Sequence, residues 1–226
     1  MEYDEWIDGL FNWEPFDHDR CEEWDRKVNS LSPNKTLDLI VKTFTRAGVD
    51  LQPFSDERVA LGLELITGVG EDALRRIYDA DVTTSERLAD INSVYILFRD
   101  CLALRCSDCS EKTAGHLDTY AYMFWDDSFL CINNIVHARV DDKEELIEAV
   151  LDVLERTLTI PNATCQQAAI HGLGHARDSI KDYCQKGKRR TNWLKRIDEI
   201  LRRYCLSTTD EPLKAYAYQA RTETIM

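Results

Sequence analysis

Apolar residues in this chain recur at intervals of three and four, and run after run is opened by a capping residue. Almost nothing alternates in the manner of a β-strand. Ser32-Pro33 supplies an N-cap with proline at the first helical position, Leu37, Ile40, Val41 and Phe44 follow on one face, and Gly48 is expected to close the helix. Ser55-Asp56-Glu57 opens a second run through Val59, Leu61, Leu63, Leu65 and Ile66 to Gly68, and a short helix is expected from about Glu71 to Tyr78. Thr83-x-x-Glu86 has the spacing of a capping box and heads a long helix with Leu88, Ile91, Tyr95, Phe98 and Leu102 on one face. Asp141-x-x-Glu144, Asn162, Thr191 and Asp210-Glu211-Pro212 begin four more. About ten helices joined by short loops predict one all-α domain over residues 1–226. They form either an orthogonal bundle or antiparallel pairs stacked as a HEAT-like α-solenoid.

Composition matters next, because it decides whether such helices find a core. Of 226 residues 44% are hydrophobic, an ordinary share for a globular chain. No stretch reaches the ~18 consecutive apolar residues of a membrane span. The opening Met1-Glu2-Tyr3-Asp4-Glu5 is acidic where an export signal is basic and apolar. A cytoplasmic location is therefore expected, and with it eight cysteines held as free, mostly buried thiols.

Charge is the second constraint. The net charge is -13, which disfavours nucleic acid and anionic lipid and favours a basic protein partner. Residues 1–30 hold ten acids against three bases, interleaved with aromatic residues, and are expected to pack on the domain or flank it. Residues 177–205 hold ten bases against four acids, including Lys186-Gly187-Lys188-Arg189-Arg190. The two segments are electrostatically complementary and would dock on each other, the aromatics packing and the charges pairing. Alternatively, the first is a partner-binding surface of Asp4, Glu5, Trp6, Asp8, Trp13, Asp17, Asp19, Glu22, Glu23 and Trp24, since interfaces favour aromatic anchors.

Few constellations carry chemistry. Cys101-x4-Cys106-x2-Cys109 followed by Cys131 has ferredoxin-like spacing, and Cys106, Cys109 and His116 offer three ligands of a zinc site, but Cys101 falls on the apolar face of a helix. His171-Gly172-Leu173-Gly174-His175 sets two imidazoles one helical turn apart, half of a zinc site. A metalloprotease would carry glutamate where Gly172 stands. The alternative is that the two glycines admit a neighbouring helix while the histidines hydrogen-bond backbone or carboxylate groups across the contact. Asp126-Asp127 offers a carboxylate pair for acid–base work or, since adjacent aspartates diverge on a helix, a cap or turn at the end of a helix over 119–125. Val59-Ala60-Leu61-Gly62-Leu63 loosely echoes Ala169-Ile170-His171-Gly172-Leu173.

Three stretches, Phe54 to Leu63, Tyr120 to Asp126 and Cys165 to His175, resemble segments of an uncharacterised group of bacterial cytoplasmic proteins with HEAT-like stacked helices. The resemblance implies a helical scaffold and a bacterial origin, and no activity. Together these features predict a non-enzymatic binding protein without a cofactor, an immunity protein that neutralises a basic toxin. A helical adaptor and a metal-dependent enzyme using His171 and His175 are the alternatives.

Overall fold

The computed structural model describes residues 1–12, 24, 26–68, 72–108, 115–187 and 192–222. Among them the chain is all-helical, with no strand. The main helices are α1 (Tyr3–Phe11), α2 (Pro33–Asp50), α3 (Asp56–Thr67), α4 (Thr84–Leu97), α5 (His116–Asp127), α6 (Ile132–His137), α7 (Lys143–Thr157), α8 (Ala163–Gly187), α9 (Trp193–Ser207) and α10 (Glu211–Thr222). A short helix, Asp72–Arg75, runs into a 3-10 turn, Arg76–Tyr78, between α3 and α4. Among the described residues no helix is long and apolar enough to cross a membrane.

The caps act where the local sequence places them. Ser32 and Ser55 accept from the backbone N–H of Lys35 and Arg58, each at 3.3 Å. Thr83 and Glu86 close a reciprocal box, Asn162 Oδ1 accepts from Cys165 N–H at 3.0 Å, and Asp210 accepts from Leu213 N–H at 2.9 Å. Each satisfies an N–H that has no partner inside its own helix.

Packing follows two lines of neighbours. α2 lies on α4 and α4 on α7; in the other line α1 lies on α3, α3 on α5, α5 on α8 and α8 on α10. α7 on α8 ties the lines together, and α9 packs against α7, α8 and α10. The core runs through both, from Trp6, Phe11 and Phe44 to Phe98, Phe124, Trp125 and Leu201.

Three local expectations are corrected. Gly48 does not end α2, which continues to Asp50. The glycine is needed because the backbone of Asp100 passes so close that a Cβ would sit 2.4 Å from its carbonyl oxygen. Asp141 does not cap α7; Asp142 stands at the N-cap, and its carboxylate turns to Arg87. The buried face of α4 is not the apolar stripe alone: Leu88 and Tyr95 are half-buried, while Arg87, Asp90 and Ser93 lie inside with Ile91, Val94 and Leu97. After Leu97 the helix widens into a π-turn, Phe98–Leu102.

Arg87 is buried because every part of its head is used. Nε donates to the Ile77 carbonyl at 2.7 Å, Nη2 to the Asp79 carbonyl at 2.9 Å and Nη1 to Asp142 Oδ2 at 2.9 Å, so one guanidinium joins α4, the 3-10 turn and the start of α7. Removing one partner of a buried pair leaves the other charge stranded. Arg87→Ala is thus expected to cost about 3–5 kcal/mol in urea unfolding. Arg202→Ala, which removes an exposed pair with Glu199, costs at most about 1 kcal/mol. Equal, small losses would show that the Arg87 clamp holds nothing together.

Asp90, fully buried, has no hydrogen-bond partner for either carboxylate oxygen. Burial pushes its pKa from 3.8 up to about 8. The folded state therefore keeps a proton that the unfolded chain releases, and stability falls as pH rises from about 4 to about 8, at ~1.4 kcal/mol per pH unit from this group. Asp90→Asn is expected to match the parent near pH 4 and to exceed it increasingly in melting temperature toward pH 8. A constant gap across that range would mean that Asp90 does not titrate there.

Candidate functional site: the junction of α5, α8 and α10

The first turn of α8 is held by Asn162, and its middle carries small residues: Ala168, Ala169, Gly172 and Gly174, all buried. At Gly172 a Cβ would stand 2.7 Å from Trp125 Cγ and 2.8 Å from Leu154 Cδ2, so only glycine lets α5 and α7 come this near. With Trp125 seated there, its neighbour Asp126 reaches both imidazoles of α8. His171 Nε2 lies 2.8 Å from Asp126 Oδ2 and His175 Nε2 lies 3.3 Å from Asp126 Oδ1. The expected contact of the histidines with a carboxylate across a close helix pair is thus present.

The far side of His171 is equally ordered. Nδ1 pairs with the Tyr216 hydroxyl of α10 at 2.6 Å, and that hydroxyl pairs with Tyr122 at 3.0 Å. The Tyr122 ring packs on the His171 ring, centroids 4.3 Å apart. Burial first, then the hydrogen bond to Tyr122, raises the Tyr216 hydroxyl far above its ordinary pKa and keeps its proton on. His171 itself is buried, whereas Asp126 and His175 are partly open to a pocket of about 250 Å³ bounded by Trp125, Cys131, Asn133, Leu154 and Ser179. Burial lowers the His175 pKa, opposed in part by the Asp126 charge, so that its imidazole is neutral and offers a lone pair at neutral pH.

One atom from each of Asp126, His171 and His175 lies within 4.8 Å of the other two. Such a set can pass a proton or hold a divalent ion. The sequence points to the two histidines and to Asp126 as half of an aspartate pair or the end of a helix, but nothing in its spacing joins Asp126 to them or singles out Tyr122 or Tyr216. All but Tyr216 lie inside two of the stretches that carried the resemblance.

The other expected sites fare differently. Cys106 is buried, its thiol pointing at the Leu117 carbonyl, and burial drives its pKa up. His116 is exposed and pairs with Glu64 at 2.8 Å, while Cys109 lies outside the described residues. Cys101 and Cys165 are likewise buried thiols, raised to about 11 and about 12 by desolvation.

At the acidic end, Trp6 is corrected from surface anchor to core. It is fully buried, donates from Nε1 to Thr43 Oγ1 at 2.9 Å and packs on Trp24, itself only half-exposed. The cause is helical geometry, since Trp6 and Leu10 share the face that α1 turns to α2 and α3, while Asp4, Glu5 and Asp8 face outward. Glu5 pairs with Lys27 at 3.2 Å. Trp13, Asp17, Asp19, Glu22 and Glu23 lie outside the described residues, as do Lys188, Arg189 and Arg190. α1 packs on α2 and α3, and two arginines of α9 engage α7: Arg196 with Glu148, Asp152 and Glu155, and Arg203 with Glu155.

No protein family matches the chain, and neither a curated protein nor a solved structure matches it.

Gly172→Ala separates the contact from intrinsic helix propensity. Propensity alone would gain about 1 kcal/mol; the contact with Trp125 makes the change cost ~1–3 kcal/mol instead. A stabilised alanine variant in thermal unfolding would mean that α5 and α8 have room to spare.

Proposed function

We propose that this chain is a non-enzymatic, HEAT-like protein-binding protein of the bacterial cytoplasm, an immunity protein that neutralises a basic toxin. The observation that carries this reading is the repeated packing of the second line of helices. Gly62 of α3 is pressed against Phe11 of α1, and Gly172 of α8 against Trp125 of α5, each glycine facing the preceding helix of its line. The echo between residues 59–63 and 169–173 thus has a structural counterpart, which favours stacked repeats over an orthogonal bundle. Stacked helix pairs make extended surfaces whose usual work is binding; that step is fold-level analogy. Charge supplies the direction. With a net of -13 and Asp4, Glu5 and Asp8 exposed on α1, long-range attraction selects a basic protein and neither nucleic acid nor membrane. The likeness of three stretches to a bacterial helical group supports the setting.

Co-expression with each product of the genes flanking its own is the test. One of these is expected to be toxic alone and tolerated beside this chain. Its association rate should fall by about tenfold or more as the Debye length shrinks from ~10 Å at 0.1 M to ~3 Å at 1 M salt. Asp4→Asn, Glu5→Gln and Asp8→Asn together should slow association without lowering the melting temperature. A partner indifferent to salt and to these three changes removes the charge argument. Several tolerated partners with none neutralised would make the chain an adaptor.

A further inference from the structure

We propose that Asp126, His171 and His175 form a binding site for one divalent transition-metal ion of the zinc type. Two imidazoles and a carboxylate hold it, and one coordination position opens on the adjoining pocket. The inference stands apart from the binding role proposed above and does not depend on it.

Proton bookkeeping is the first argument. A carboxylate only accepts hydrogen bonds, so without an ion His171 must turn Nε2–H toward Asp126 and take a proton from Tyr216 at Nδ1. That satisfies His171 and leaves two buried atoms without hydrogen bonds, His175 Nε2 and Asp126 Oδ1, which face each other at 3.3 Å. A cation between the three residues gives His175 Nε2 and Asp126 Oδ1 the partner they lack. His171 then ligates through Nε2 and donates Nδ1–H to the Tyr216 oxygen, the outer hydrogen bond by which metal-bound imidazoles are commonly oriented.

Geometry is the second. Ligands ~2.0–2.1 Å from zinc lie about 3.3 Å apart at the corners of a tetrahedron. The two imidazoles meet different oxygens of Asp126, at 2.8 Å to Oδ2 and 3.3 Å to Oδ1, and one donor atom from each residue lies within 4.8 Å of the other two, so the side chains close on the ion by rotation about their own bonds. The backbone that carries the ligands is held in place. Gly172 seats Trp125 and so fixes Asp126, and the two histidines are one turn apart on the same helix.

Selectivity is the third. Two neutral imidazoles with one carboxylate suit zinc and its first-row neighbours and give calcium or magnesium too few oxygens. Cys101, Cys106 and Cys165 do not compete well, because burial keeps them protonated. The pocket brings Cys131, Asn133 and Ser179 near the open side, and Gly172 stands where a metalloprotease would place its base. The proposal is accordingly for binding, with the open position available to water or to a small ligand with a donor atom.

The test is calorimetric titration of Zn²⁺ into the full chain after chelator treatment, with X-ray absorption at the zinc edge on the loaded wild-type protein. One ion per chain is expected, with nitrogen and oxygen ligands and the signature of two imidazoles. Asp126→Asn and His175→Ala should abolish stoichiometric binding with the helical circular dichroism unchanged. Tyr216→Phe should weaken it by about 10–100-fold, and Cys106→Ser should leave it intact. Absence of saturable binding at micromolar zinc overturns the proposal. So does sulfur among the ligands, or undiminished binding in Asp126→Asn and His175→Ala. If either variant fails to fold, the wild-type absorption spectrum decides.

Discussion

The α5–α8 junction depends on a missing side chain. At Gly172 two helices, α5 and α7, crowd α8 so closely that one added carbon would collide with Trp125 and Leu154. That absence lets the largest ring of α5 sink into the second line of helices. It also carries Asp126 to within hydrogen-bond distance of an imidazole 45 positions further along the chain. The site is a by-product of this packing: the glycine sets the approach, the approach sets the carboxylate, and the carboxylate organises both histidines. Leu154 on the other flank means that α7 braces the same spot, so the first line of helices also supports it.

Buried polar groups elsewhere follow two opposite rules. Arg87 enters the core at little net cost because three acceptors from two other segments meet its head. Asp90, one turn away on the same helix, enters with none and must hold its proton instead. A fold that tolerates the second arrangement has apolar area enough to offset it, in keeping with the continuous core from Trp6 to Leu201. Surface charge is organised more loosely, through pairs such as Arg196 and Arg203 with the acids of α7.

Legibility in the sequence tracks the range of each interaction. Caps at Ser32, Ser55, Thr83, Asn162 and Asp210 were readable because donor and acceptor lie three residues apart. The close approach at Gly172 was readable as well, since paired glycines in a helix otherwise only cost stability. Gly48 misled because a glycine near a helix end looks the same whether it closes the helix or makes room for another chain segment. Asp126 was hidden for a related reason, as the spacing between Asp126 and His175 follows no helical period and depends on which helices pair. Trp6 was misassigned although the pattern was there: Trp6 and Leu10 one turn apart, with the acids at 4, 5 and 8 on other faces.

Tyr216 adds an element of time. It orients His171 but stands 41 positions after His175, on a helix made later than both α5 and α8. At ~5–20 residues per second, Tyr216 is added roughly 2–9 s after the imidazole it orients. During vectorial synthesis the carboxylate and both imidazoles therefore exist before the hydroxyl that holds the far side of the His171 ring. His171 acquires its second hydrogen-bond partner only when α10 docks.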